Sequence, residues 1–227
     1  MRKVLVIGSN GLVGKGVSNF FENTKDVELT KIDLGENFDL RDNQSIKTYL
    51  KSKSDIEYIV NCSGINDHVD ENDFLDSTKT DLENIDLFFD INVKSVCHII
   101  EYGKENLNNL KGVINFASLY GIRSPFHPIY DKPKSLSYTI SKHALEGITK
   151  YYAALYGKNN ITINAVRIGG IEANQSKKFK EWFKTRTPLG RMANLKDLYG
   201  TINLLCSEDG SYITGQSITV DGGYTSW

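Results

Sequence analysis

Tyr138-Thr139-Ile140-Ser141-Lys142 sets a phenol and an ammonium four residues apart, and Ser118 ends an apolar run 20 residues upstream of the tyrosine. A helix over 138–157 would hold Tyr138 and Lys142 one turn apart on one face, with ~5–6 Å between Cβ atoms. An ammonium so placed favours the tyrosinate and draws the phenol below its ordinary pKa of ~10. Such a tyrosine can exchange a proton with a secondary alcohol or a ketone near neutral pH. Tyr and Lys meet at this spacing by chance in many chains, so the weight of the pair rests on its surroundings.

The second constellation is Gly8-Ser9-Asn10-Gly11-Leu12-Val13-Gly14, whose glycines fall three apart between a short apolar strand and a helix. A pyrophosphate needs such a turn: a tight bend, close backbone approach, and free amides at a helix N-terminus. The plain alternative is a glycine-rich strand–helix turn with no ligand. Asp33 counts against it, since it ends the second strand 19 residues after Gly14. A carboxylate there accepts hydrogen bonds from the ribose hydroxyls of NAD and repels the 2′-phosphate of NADP. Leu34, Gly35 and Glu36 follow without a basic residue, but alternation puts Lys31 on the same sheet face as Asp33, which leaves some NADP tolerance open.

Six short β-branched runs supply the strands that would position these residues: Val4–Ile7, Val27–Ile32, Tyr58–Val60, Val113–Phe116, Thr162–Val166 and Ser217–Val220. Between them Val13, Val17, Phe20 and Phe21 share one helical face, as do Leu87, Ile91 and Ser95, and then Leu198, Ile202 and Leu205. Strands alternating with helices imply an α/β fold with a parallel sheet covered on both faces. No repeat or linker interrupts the pattern, so residues 1–227 read as a single domain. Two segments break the rhythm. Residues 66–84 carry seven Asp/Glu and read as a solvated loop with a helix start, while residues 122–137 hold three of the four prolines and, lying between Ser118 and Tyr138, are expected near the reaction centre.

Composition excludes several classes. With 27 Lys+Arg against 28 Asp+Glu there is no large net field, so neither nucleic acid nor an acidic membrane surface is an expected partner. Cys62, Cys97 and Cys206 are scattered without a metal-ligand spacing, which points to no metal and to a reducing, cytoplasmic setting. The apolar run after Met1-Arg2-Lys3 stops at Gly8, too short for a signal peptide, and no segment approaches the ~20 apolar residues of a membrane span.

Taken together, the chain resembles the short-chain dehydrogenase/reductase family over essentially its whole length. The landmarks occur in order: GSNGLVG (8–14), Asp33, Asp39-Leu40, Asn61-Cys62-Ser63-Gly64, Asn92, Ser118, Tyr138 and Lys142. Asn164-Ala165-Val166, Pro188-Leu189-Gly190-Arg191, Ile213-Thr214-Gly215-Gln216 and Val220-Asp221-Gly222-Gly223 complete the set. The resemblance implies a Rossmann-type doubly wound parallel sheet of about seven strands with helices on both faces. It implies that Asp39 and Leu40 flank the adenine, and that Asn61, Ser63 and Gly64 end the fourth strand beside the adenosine ribose. It further implies that Ser118 binds the substrate oxygen and Tyr138 is the acid/base. Lys142 would lower the Tyr138 pKa and hold the nicotinamide ribose, and Asn92 would support a water that passes protons to Lys142. Read alone, Asn92 is a buried amide satisfying backbone groups, and Ser118 bonds a turn amide.

Three departures from the family pattern stand out. The glycine turn reads GSNGLVG where the common short-type pattern is Thr-Gly, three residues, then Gly-Ile-Gly. Ile168 replaces the usual Pro before Gly169-Gly170-Ile171, and Ala173 stands where a Thr usually meets the cofactor, leaving the Ile171 backbone to bond the carboxamide. The Ser118–Tyr138 spacing is longer than usual, which makes the intervening loop an insertion. That insertion and the GGIEANQSKKF segment are similar to dehydrogenases of surface-polysaccharide and flagellin-glycan synthesis, which implies a sugar-like small-molecule substrate. Arg123, His127, Lys132 and Lys134, with Asn174, Gln175 and Lys177, would meet its hydroxyls or phosphate, or serve as ordinary loop polar groups. Phe179, Trp182 and Phe183 read as a lid helix or as a plain packing face. A homo-oligomer, a tetramer by resemblance, is expected from apolar Val96, Ile99 and Ile100 and from the aromatic segment Tyr224 to Trp227. The rival readings are a 3-oxoacyl-thioester reductase, and a dinucleotide-binding protein without turnover.

Overall fold

The computed structural model describes residues 1–35, 38–66, 81–130 and 133–227. Its strands are β1 (Arg2–Ile7), β2 (Val27–Ile32), β3 (Tyr58–Asn61), β4 (Gly112–Ser118), β5 (Thr162–Ile168) and β6 (Ser217–Val220), all parallel in the order β2-β1-β3-β4-β5-β6. The helices are α1 (Leu12–Glu22), α2 (Asn43–Lys51), α3 (Ile85–Phe89), α4 (Ser95–Asn106), α5 (Leu136–Tyr156), α6 (Lys177–Arg186) and α7 (Tyr199–Leu205).

The alternation of each strand divides the core into two layers. Leu5, Ile7, Ile59, Val113, Ala117 and Ile163 point to one face, where Ile46 and Leu50 of α2, Val96, Ile99 and Ile100 of α4 and Leu145 of α5 cover them. Val4, Val6, Val60, Ile114, Phe116 and Val166 point to the other, under Val17 and Phe21 of α1 and Ile202 and Leu205 of α7. A sheet covered on both faces needs near-continuous apolar strands, and β1, β3 and β4 are buried almost throughout.

The chain leaves β1 towards β2 on one side and continues through β3 to β6 on the other. The strand order therefore reverses between β1 and β3, the place where open α/β sheets bind ligands. Gly8 after β1 lies against Ser63 after β3, so close that a Cβ on Gly8 would stand 2.7 Å from the Ser63 amide nitrogen.

The doubly wound parallel architecture agrees with the sequence reading, with six strands among the described residues. Only ten residues separate Ile32 from Asn43, and Phe38 in that span is buried in the core instead of joining the sheet. Among the described residues the strand ending at Asn61 is the third, where the resemblance implied the fourth. A second correction concerns Val96, Ile99 and Ile100. All three are buried against the sheet and leave no apolar surface for another subunit. The acidic stretch 67–80 lies outside the described residues. No described helix is long and apolar enough to cross a membrane.

Candidate active site and dinucleotide cleft

Backbone geometry makes the anion cradle. Gly8 has φ +76°, and a Cβ on Gly14 would overlap the Gly8 carbonyl, so the strand can fold back on the helix only with glycine at both positions. Gly11 is the N-cap of α1 and brings no side-chain acceptor to the helix amides; the first helical bond runs from the Lys15 amide to the Gly11 carbonyl at 2.8 Å. The amides of Leu12, Val13 and Gly14 head an 11-residue helix and suit a pyrophosphate, so the turn fits the cofactor the sequence implies.

Asp33 stands beside this turn. Its carboxylate accepts from the Asn10 amide at 2.6 Å and from the Leu34 amide at 2.7 Å, while the Ser9 amide bonds the Ile32 carbonyl at 3.2 Å. Lys31, the basic residue on the Asp33 side of β2, is paired with Glu22 at 2.6 Å. Asp39 is engaged by Arg41, which donates from Nη2 at 2.9 Å and holds the carboxyl below its usual range. Leu40 packs on the core. Asn61 is buried at the end of β3, donates to Asn115 at 3.1 Å, and accepts from the Ser63 amide at 3.2 Å and the Ser63 hydroxyl. Gly169 sits against the Asp221 backbone, and Ile171 bridges Ala193.

Tyr138 and Lys142 lie on the first turns of α5. Ser135 caps this helix by accepting from the Tyr138 amide at 2.8 Å. Asp81 reaches the same turn from far away in sequence: its carboxylate accepts from the Leu136 amide at 2.8 Å, the Ser137 amide at 3.2 Å and the Ser135 hydroxyl. Ser118 closes β4 and accepts from the Tyr120 amide at 3.2 Å. Its hydroxyl also acts on the Tyr138 phenol, lowering the phenol pKa against the rise from burial. Lys142 donates to the Phe116 carbonyl at 2.9 Å, and its Nζ lies 5.7 Å from the Tyr138 ring centroid. Burial draws the Lys142 amine down to about 8.

The phenol departs from expectation. Burial raises the Tyr138 pKa, and Ser118 opposes that rise. The sequence reading weighed the neighbouring ammonium but not the desolvation of the ring.

Asn92 lies in a π turn (Asp90–Lys94) between α3 and α4 and is 1% exposed. Its Oδ1 accepts from the Ile65 amide at 2.8 Å; its Nδ2 donates to the Ile65 carbonyl at 3.1 Å and to Ser141 Oγ at 3.0 Å. A Cβ on Gly64 would stand 3.1 Å from Asn92 Oδ1 and 3.7 Å from Lys142 Nζ, so Gly64 lets these two groups approach. A π turn at such a point commonly marks a functional site. The structure thus brings Ser118, Tyr138, Lys142 and Asn92 to one place.

Of the described candidate substrate groups, Lys134 is the one found against Tyr138. Its ammonium is 4.7 Å from the Tyr138 ring centroid, and it donates to Asn66. Arg123 is exposed and donates to the Tyr224 carbonyl at 3.1 Å. Gln175 closes its own turn, accepting from the Ala173 amide at 2.7 Å and donating to the Ile171 carbonyl at 2.9 Å. Asn174 and Lys177 are exposed, His127 accepts from the Lys134 amide at 3.1 Å, and Lys132 lies outside the described residues. Phe179, Trp182 and Phe183 do lie on a helix, α6, and pack with Tyr130 and Tyr224 over the loop after β4.

Sequence reasoning missed Asp81, Ser135 and Ser141. A Ser three residues before Tyr138 is a legible N-cap, whereas nothing local marks an Asp 54 residues upstream of its partner.

A family model described as enoyl-(acyl carrier protein) reductase matches residues 22–225. The chain is 26% identical over 229 residues to a 3-oxoacyl-[acyl-carrier-protein] reductase of Aquifex aeolicus, covering 97% of this chain and 86% of that protein. It is 28% identical to a 2-dehydro-3-deoxy-D-gluconate 5-dehydrogenase of Bacillus subtilis, over 75% of this chain and 65% of the relative. Two further relatives, 38% and 32% identical, are spanned over only 37% and 57% of their own length. A solved short chain dehydrogenase from Leptospira borgpetersenii with bound NAD+ superposes with TM-score 0.81 at 26% identity, over 99% of this chain and 92% of that one. With the glycine cradle and the Ser118–Tyr138–Lys142 cluster in place on this fold, the chain belongs to the short-chain dehydrogenase/reductase family of oxidoreductases.

Proposed function

We propose that the protein interconverts a secondary alcohol and a ketone on a polar, sugar-like small molecule, with NAD as the preferred dinucleotide. The observation that carries this reading is the convergence of Ser118, Tyr138 and Lys142 beside a cleft headed by the α1 amides. Ser118 holds the substrate oxygen by its hydroxyl. Tyr138 Oη gives a proton to that oxygen in reduction and removes it in oxidation. Lys142 supplies positive charge that favours the tyrosinate and donors for ribose hydroxyls, and Asn92 orients the backbone at Ile65 beside it. The bound nicotinamide supplies the hydride chemistry.

Asp33 supports NAD, because its carboxylate lies where a 2′-phosphate would bring a second negative charge, and Lys31 is engaged by Glu22. The sugar-acid relative supports a polyol-like substrate, in keeping with a role in surface-glycan synthesis. Free Cys62, Cys97 and Cys206 support a reducing, cytoplasmic setting. For a homotetramer the support is the outer face of α5, where Tyr151 is 64% and Leu155 49% exposed; light scattering reads the assembly directly, and a monomer at micromolar concentration excludes it. A 3-oxoacyl-thioester reductase is the second reading, favoured by the Aquifex relative. Activity on acetoacetyl thioesters with NADPH in preference to NADH would establish it.

Replacing Tyr138 by Phe removes the acid/base and keeps the ring. Turnover should fall by ~10²–10⁴-fold, while NADH binding, followed by its fluorescence, persists. A Tyr138→Phe enzyme of near-normal rate overturns the mechanism. Equal affinity of the wild type for NADH and NADPH overturns the cofactor preference.

A further inference from the structure

Ser141 stands on α5 between Tyr138 and Lys142, immediately before the lysine, and it is fully buried. Its hydroxyl donates to the Tyr138 carbonyl at 2.7 Å. A serine inside a helix often does this and nothing more. Here the oxygen also accepts from Asn92 Nδ2 at 3.0 Å, across 49 residues of sequence. The direction of each bond is forced. A carbonyl only accepts, so the Ser141 proton goes to Tyr138 and the oxygen meets Asn92 with lone pairs alone. Asn92 must then face α5 with its amino group.

The remainder of the Asn92 amide is held by Ile65, which receives the second Nδ2 proton at its carbonyl, 3.1 Å away, and donates its own amide to Oδ1 at 2.8 Å. Gly64 precedes Ile65 with φ +151°. A Cβ there would lie 3.1 Å from Asn92 Oδ1 and 3.7 Å from Lys142 Nζ, so the carbonyl end of the amide and the Lys142 ammonium border the same glycine. An oxygen dipole so placed favours the charged form of the amine. Without the Ser141 oxygen, one Nδ2 proton is buried without an acceptor and the amide is held from the Ile65 side only. A group held from one side can shift, and a shift takes Oδ1 out of its place beside Gly64.

We infer that Ser141 is a positioning residue: its hydroxyl fastens the Asn92 amide to the turn of α5 that carries Tyr138 and Lys142, and so holds Asn92 Oδ1 on the side of the ammonium that receives the dinucleotide ribose. This rests on the reading of Lys142 as the ribose-binding residue, and it adds the group that sets the surroundings of that ammonium.

NADH is the probe, and its affinity is measured by fluorescence titration from about pH 6 to about pH 10, which needs no substrate. Burial draws the Lys142 amine down to about 8. NADH is an anion throughout, so its affinity should fall once pH passes the amine of the free enzyme, by up to ~tenfold per pH unit. The pH at which the fall begins is the readout. A merely structural substitution weakens binding alike at every pH and leaves that onset where it was. Tyr138 of α5, Asn92 of the π turn and the Phe116 carbonyl of β4 face this amine, and Lys134 of the loop before α5 lies over the Tyr138 ring. Burial draws Lys134 down to about 7, but it is common to all the proteins compared and cancels between them.

Ser141→Ala keeps a good helix former and should move the onset down by ~0.5 pH unit or more, about threefold in proton affinity. Ser141→Thr, whose hydroxyl can reach the same carbonyl, should restore it. Asn92→Ala should shift the onset as Ser141→Ala does, and the two together should shift it no further, since residues that act through one another are not additive. An unchanged onset in Ser141→Ala overturns the proposal. So does a Ser141→Thr protein that behaves like Ser141→Ala, or a double variant that shows the two shifts summed. Should Ser141→Ala fail to fold, Ser141→Cys decides by the same measurement, because a thiol is a weaker acceptor of similar size; an unmoved onset there overturns the proposal equally. Lys142→Met tests the underlying reading by itself: an onset that survives in that protein removes Lys142 from ribose binding and the proposal with it. Failure of Tyr138→Phe to lose turnover is a separate result and reflects on the acid/base alone.

Discussion

At the scale of single residues, the centre is built from groups held away from their ordinary protonation. Burial lowers Lys134 to about 7 and Lys142 to about 8, and it raises the Tyr138 phenol. An unfolded lysine titrates at ~10.4, so between the folded and unfolded values the unfolded chain binds more protons than the native one. Native stability contributed by these groups must therefore rise with pH through that window and be lost as pH falls through the folded value. Lys134→Met removes one such contribution. The melting temperature of the wild type minus that of Lys134→Met should become more positive from pH 7 to pH 10, with each tenfold difference in proton affinity between the two states worth ~1.4 kcal/mol. Thermal denaturation of the two proteins across this range checks it. A flat difference would mean that the amine keeps its ordinary pKa in the native protein. Lys142 should show the same sign over a narrower window.

At the scale of elements, what matters is how the N-terminus of α5 is fixed, because Tyr138 and Lys142 inherit its position. Ser135 covers the Tyr138 amide, and Asp81 covers the amides of Leu136 and Ser137 while its own carbonyl accepts from Ser137 Oγ. An acidic group at a helix N-terminus also faces the positive end of the macrodipole. Asp81→Ala leaves buried donors unpaired, and it should cost ~1–3 kcal/mol in denaturant unfolding. Turnover should fall more than NADH affinity, since the glycine cradle belongs to α1. A variant as stable and active as wild type would show that Ser135 alone sets the helix. Much of this element was legible beforehand: the Tyr138–Lys142 face, the glycine turn and the strand cores follow from spacing and alternation. The helix starts at Leu136 and not at Tyr138 because Ser135 caps it. Asp81 was illegible, since its contacts join residues more than 50 apart. Ile99 and Ile100 show the opposite error: apolar residues on a helix announce burial, but sequence does not say whether the sheet or another subunit covers them.

At the scale of the whole molecule, three segments far apart in sequence meet in one aromatic cluster beside Tyr138. The loop after β4 contributes Phe126, which stacks on Trp182 of α6 with ring centroids 5.1 Å apart, and Tyr130, which meets Phe179 at 5.4 Å. The C-terminal segment adds Tyr224, stacked on Phe183 at 4.8 Å, and Trp227, whose indole donates to the Arg186 carbonyl at 3.1 Å. Arg123 ties the loop to the tail through the Tyr224 carbonyl. Phe183 in turn packs on Gly170 just after β5, where a larger residue would collide with its ring. The sequence reading took Phe179, Trp182 and Phe183 for a lid or a packing face, and the structure makes them part of one aromatic cluster that includes the tail. Aromatic pairs add ~0.5–1.5 kcal/mol each beyond the area they bury, so removal of Tyr224 to Trp227 should loosen α6 and the loop together. The cradle between β1 and α1 lies on separate elements and should be untouched. A chain ending at Gly223 is therefore expected to keep its NADH affinity, melt at a lower temperature, and show a raised KM for its substrate with a smaller change in kcat. Equal KM in the shortened and full chains, with the melting temperature lowered as expected, would separate the aromatic cluster from substrate binding and leave it a structural seam.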